Sequence, residues 1–178
     1  MRSTRYAVGY PRPYWFGPMM RVVNRLMFFA HLVLEMDVDR IVDQWINGTL
    51  ALKREVANHF RRAVGVEEIQ RALSRPDKHS EVWREKAFEI VLADEWVSGT
   101  FDRVTIRRDP SGTPLFATIL DYKSDQVVSE DEVIHTTDHY RTQLELYQCA
   151  LAEILFMDRD RIRLQLLFTT PGRLVELR

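Results

Sequence analysis

"ATILDYKSD", residues 117–125, is the stretch on which the reading turns. Apolar and β-branched residues run up to Leu120, and Asp121 and Lys123 then close the run. In a strand, side chains two apart point to the same side of the sheet. The carboxylate and the ammonium therefore sit side by side where this strand leaves the core. From the pair alone, a solvated ion pair is the ordinary explanation, since such pairs are common at surfaces and contribute little. A metal site beside a water-activating lysine is the chemical alternative, and the surrounding sequence has to decide between them.

Upstream, "WREKAFEIVLAD" (83–94), "EWVSGTFDRVTIRR" (95–108) and "PLFATILDYKS" (114–124) are rich in β-branched and aromatic residues, and "DPSG" (109–112) joins the last two as a hairpin turn. Downstream, "TTDHYRTQLELYQCALAEILF" (136–156) takes helical spacing, with Thr136 or Thr137 as the expected N-cap. "RIRLQLLFTT" (161–170) reads as a last strand that "PG" stops. Before the strands, helical spacing is predicted for 19–37, for 38–64 with a break near Gly48, and around 66–73, followed by a loop over 74–81. Residues 1–18, rich in proline and aromatics, read as an extended arm, which leaves 19–178 as the domain proper. Helices, three strands, helix, strand is the order of an α/β fold with a central mixed sheet flanked by helices.

Bulk properties narrow the function. A net charge of -1 gives no basic field of the kind that marks a nucleic-acid binder, so contacts to DNA would come from local patches. The single Cys149 excludes a disulfide framework and any four-cysteine zinc or iron–sulfur site within the chain, and it suits a reducing, cytoplasmic compartment. "LMFFAHLVL" (26–34) is too short to span a bilayer, and no small-residue cleavage pattern follows it, so neither membrane nor export is expected.

If strands 95–108 and 114–124 are hairpin neighbours, Asp102, on the face of Val104 and Ile106, and Asp121, on the face of Ile119 and Lys123, can reach one point. Two adjacent carboxylates repel unless a cation lies between them, and magnesium or manganese accepts carboxylate oxygens. Lys123 beside such an ion can orient a water or stabilise charge on a phosphate, which is metal-assisted hydrolysis in outline. His31 lies in an apolar helical run, where a lone histidine is more often a satisfied core residue than a ligand. Gln143 and Tyr147, four apart, share one helix face. Tyr147 fits a core beside Leu144 and Leu151, whereas Gln143 needs a polar partner. Arg54, Arg61 and Arg62 lie in a basic helical stretch that reads first as a solvated face and second as a contact to the DNA backbone.

"GTFDRV", "ILDYKSD" and "YRTQLELYQCAL", in that order, resemble the RecB-type nuclease domain of the PD-(D/E)xK superfamily, found at the C-terminus of AddA- and RecB-like helicase–nucleases. "AHLVLEMD" is similar to the family's first motif, and "WREKAF" to the strand preceding Gly-x-x-Asp. The resemblance implies a restriction-endonuclease-like core and a metal-dependent DNA nuclease, an exonuclease acting on ends or single strands in recombination and repair. It assigns His31, Asp102, Asp121 and the Tyr122 backbone carbonyl to Mg2+ or Mn2+, and makes Lys123 catalytic together with Asp102 and Asp121. Gln143 and Tyr147 become DNA-binding residues, and Glu85 a supporting one. The chain has no Gly-x-x-x-x-Gly-Lys-Ser/Thr loop, so a helicase or ATPase subunit would be a separate partner. The alternatives are a non-catalytic DNA-binding or scaffolding module, and a fragment of a helicase–nuclease that needs a motor subunit.

Overall fold

The computed structural model describes residues 38–45, 50–125 and 127–177. The predicted arm, the helix over 19–37 with His31, and the break near Gly48 lie outside them. Among the described residues, three helices come first: α1 (Val38–Trp45), α2 (Leu50–Val64) and α3 (Glu67–Leu73). Each buries a stripe at helical spacing. Ile41 and Val42 serve α1, Val56, Phe60, Ala63 and Val64 serve α2, and Ile69 and Leu73 serve α3.

Strands β1 (Ser80–Leu92), β2 (Glu95–Arg108) and β3 (Pro114–Lys123) follow as an antiparallel meander. Ala93 and Asp94, both with positive φ, make the two-residue β1–β2 turn, whose backbone twist matches that of the flanking strands. At the β2–β3 turn, Asp109 Oδ1 accepts the N–H groups of Ser111 at 2.9 Å and Thr113 at 2.8 Å. That is how the expected "DPSG" turn closes.

The long helix α4 (Glu130–Leu155) then crosses over so that β4 (Ile162–Phe168) runs parallel to β3. This helix starts six residues before the predicted 136. Ser129 is its N-cap, its side chain accepting from the Glu132 backbone while Glu132 reaches back to the cap N–H. The reciprocal pair satisfies two otherwise orphaned donors, whereas Thr136 and Thr137 lie inside the helix. A fifth strand, β5 (Arg173–Leu177), was not expected from the sequence; it pairs antiparallel with β4. Gly172, at φ +66, turns the chain between them.

The sheet order is β1-β2-β3-β4-β5. One face carries α1–α3 over Leu120, Tyr122 and Leu167, and the other carries α4 over Val104, Ile106, Ile119, Leu166 and Phe168. The result is a mixed five-stranded sheet between two helical layers, the restriction-endonuclease-like α/β fold anticipated from the chain, with one additional strand.

Candidate active site

Ala117 and Ile119 face α4, so parity along β3 sends Asp121 and Lys123 into the same layer, and Tyr122 into the layer of α1–α3. Lys123 Nζ lies 2.5 Å from Asp121 Oδ2, both side chains being 6% exposed. The ammonium also donates to Gln143 Oε1 at 3.3 Å. On its open side it rests on the face of the Tyr140 ring, 4.0 Å from the centroid. This pair is therefore not the solvated surface bridge of the ordinary explanation. It is a buried charge pair that α4 closes over, in surroundings where electrostatic interactions are stronger than in water.

Asp102 reaches the same place from β2. The regular β2–β3 register ends at Arg103 opposite Leu120. One residue further along, Asp102 Oδ2 accepts the Tyr122 backbone N–H at 2.8 Å. Burial, and next the neighbouring Asp121 charge, push the Asp102 carboxyl up to about 8; the Tyr122 N–H and Lys123 act against this, and Glu85 adds to it. Glu85 stands opposite Asp102 between the pairs Arg84–Arg103 and Lys86–Phe101, with φ +46. At this rung the positions facing α4 change parity in both strands, from Trp83 and Val104 on one side to Phe88 and Phe101 on the other. The simple alternation expected along β2 thus holds for Val104 and Ile106 but does not run through Asp102, because the backbone kinks at Glu85.

Below that rung, Phe88 stacks on Phe101 with centroids 4.4 Å apart, and both meet the Tyr147 ring edge-on, at 5.4 and 5.5 Å. A Cβ at Gly99 would lie 2.8 Å from Phe88 Cζ and 3.0 Å from Tyr147 Cε1. The glycine of "GTFD" is therefore the space into which Tyr147 and Phe88 close. Tyr147 is committed by its ring to this cluster, as its core reading had it, and it shares a helix face with Gln143. Gln143 has the polar partner it needs in Lys123.

Arg54, Arg61 and Arg62 are on α2, in the layer opposite α4, and are not gathered around Lys123. The C-terminal end of α2 does abut the β4–β5 turn, since a Cβ at Gly172 would meet Arg62 O at 3.0 Å. That turn closes the sheet end from which Lys123 emerges, with Thr170 Oγ1 donating to Ser124 O at 3.0 Å. Arg61 and Arg62 line an open cleft of about 430 Å³ together with Glu55 and Asn58.

Three contributors escaped the sequence reading: Tyr140, Asp125 and Thr169. Tyr140 caps Lys123, and its hydroxyl donates to Asp125 at 3.1 Å. Thr169 holds the Lys123 carbonyl through its backbone N–H at 2.8 Å and through Oγ1 at 3.2 Å. Only the helical spacing of Tyr140 and Gln143, three apart and hence on one face, hinted at the first.

A sequence model of the PD-(D/E)XK nuclease superfamily matches residues 26–176. The chain belongs to this superfamily. No curated protein matches it. Nucleases of the PD-(D/E)XK superfamily generally use divalent metal ions. The described residues suit such an ion in their chemistry: Asp102 and Asp121 are neighbouring carboxylates, the Asp121 charge adding to burial in raising the Asp102 carboxyl, and the one cation set against Asp121 Oδ2 is the ammonium of Lys123, on a stem that can move aside. Hard oxygen donors of this kind select a hard divalent cation. Among the described residues, no three or more His, Cys, Asp or Glu are set so that together they could hold a metal ion. None of the described helices is long and apolar enough to cross a membrane.

Proposed function

We propose that this nuclease is a metal-dependent deoxyribonuclease of the RecB type, acting as an exonuclease on DNA ends or single strands in recombination and repair. The observation that carries the proposal is the convergence of Asp102, Asp121 and Lys123 at one end of the sheet, with Lys123 buried between Asp121, Gln143 and Tyr140. Asp102, Asp121 and the Tyr122 carbonyl, joined by His31, would hold Mg2+ or Mn2+. When bound, such an ion polarises the scissile phosphate and lowers the pKa of water. Lys123 orients the attacking water or stabilises charge developing on the phosphate, and its four-carbon stem lets it swing from Asp121 towards a phosphate oxygen. Gln143 holds Lys123 in line near the cleaved bond, and the half-buried Tyr147, one turn further along, would meet the DNA only with the part that its packing on Phe88 and Phe101 leaves uncovered. Arg54, Arg61 and Arg62 add phosphate contacts from the opposite layer. A helicase or ATPase subunit is the partner proposed to feed it DNA, in the cytoplasm.

Cleavage of end-labelled single- and double-stranded DNA, with manganese, magnesium or EDTA, tests this on wild type and Lys123→Ala. Metal-dependent cutting that disappears in the variant supports the proposal, and the labelled products reveal polarity. Binding without cutting in every metal refutes it, in favour of a scaffolding module.

A further inference from the structure

We infer that Tyr140 is a positioning residue for Lys123, holding the ammonium by its ring face; for its effect on cleavage, the inference rests on the nuclease reading above. An ammonium has three donors and no acceptor. Here two directions are taken by Asp121 at 2.5 Å and Gln143 at 3.3 Å. Among the described residues the third meets the Tyr140 ring, 4.0 Å from Nζ to centroid, well inside the range of a cation–π contact. The chemistry of that choice matters. A second carboxylate would compete with Asp121 for the lysine, whereas a ring face attracts the cation without adding another anion. Held on this side by a ring face, the Lys123 side chain can leave its resting place.

The ring is itself anchored. Its hydroxyl donates to both carboxylate oxygens of Asp125, at 3.3 and 3.1 Å. Donation to a carboxylate leaves the phenol oxygen richer in electrons, and with it the ring face. Asp125 lies two residues beyond Lys123, and Tyr140 is one helical turn before Gln143. One loop and one helix thus bracket the same ammonium from the end of β3 and from α4.

The test separates a ring that acts by its electrons from one that fills space. Lys123 Hε and Cε signals are assigned by comparison with Lys123→Arg, and the ring current of Tyr140 should shift Hε upfield in wild type, with the shift abolished in Tyr140→Leu. An unshifted wild-type signal overturns the contact. Cleavage is then followed in Tyr140→Phe and in Phe analogues carrying one, two and three fluorines at this position, which drain the ring face at nearly constant volume. The expected result is kcat falling stepwise with fluorination, KM holding, and Tyr140→Leu losing about five- to thirtyfold. Equal kcat across the fluorinated series, at equal melting temperature, would assign Tyr140 to packing alone and overturn the inference. If wild type cuts no DNA in any divalent metal, the nuclease reading falls, and the Hε shift by itself decides whether Tyr140 holds Lys123.

Discussion

Asp102 Oδ2 accepts the backbone N–H of Tyr122 at 2.8 Å, which ties the acid of β2 to the residue between Asp121 and Lys123. The bond continues the β2–β3 pairing past its last regular rung by means of a side chain. It places the second carboxylate beside the first without a loop between them, so the site inherits the rigidity of the sheet.

Removing Lys123 should uncouple metal binding from cutting. Lys123→Ala strips the counter-charge from a buried pair, and breaking such a pair from one side costs about 3–5 kcal/mol. Manganese added to the variant replaces that charge and should recover most of the stability, with DNA left uncut. Paired thermal melts with and without manganese, alongside the cleavage assay, read both effects. A variant as stable as wild type in EDTA would contradict the buried pair.

Asp102 sets a pH dependence of unusual sign for an aspartate. Its carboxyl lies at about 8 in the fold against 3.8 in a free side chain. Between those values the folded chain holds a proton that the unfolded chain has released. The metal-free protein is therefore stabilised by this group at low pH and loses that stability as pH rises towards 8. Asp102→Asn should flatten the slope, and denaturant unfolding from pH 5 to 8 measures it. A divalent ion must displace the same proton, so its affinity should rise about tenfold per pH unit over pH 6–7. Calorimetry in buffers of different ionisation heat counts that proton.

Gly99→Ala places a methyl against Phe88 and Tyr147, at 2.8 and 3.0 Å. Aromatic rings packed on three sides cannot yield freely, so the expected destabilisation is about 1–3 kcal/mol. Activity should fall with it, since α4 carries Tyr147 and Gln143 together. Chemical denaturation of the variant gives the number; no change would mean that the cluster is loose.

Ser129→Ala removes the side-chain acceptor for the Glu132 N–H and should cost about 1 kcal/mol. The first turn of α4 lies far along the helix from Gln143, so kcat should change less than twofold. Equilibrium unfolding and a cleavage rate on the same sample separate the two.

Replacing Arg54, Arg61 and Arg62 together by alanine should weaken DNA binding at low salt and flatten its salt dependence, by about 0.7–0.9 in slope for each phosphate no longer neutralised. A titration of binding against salt concentration checks this, and an unchanged slope would return the three arginines to a solvated face.

Much of this architecture was written in local pattern. The apolar run ending in Asp121 and Lys123, the "DPSG" turn and the helical stripes around Phe60 and Leu144 depend only on spacing and backbone preference, and each stands where it was expected. Ser129 and Glu132 were legible too, as a capping box, but the threonines behind them drew the N-cap assignment instead. β5 was not legible: five residues after Pro171-Gly172 form a strand because β4 offers an edge, and that edge exists only in the folded sheet. Tertiary structure alone decided the rest. The parity change at Asp102 follows from the backbone at Glu85, and the company Lys123 keeps follows from how α4 lies across the sheet. Periodicity states which face a side chain takes, whereas its neighbours on that face come from segments 17 and 20 residues away, Tyr140 and Gln143, which only packing brings within reach.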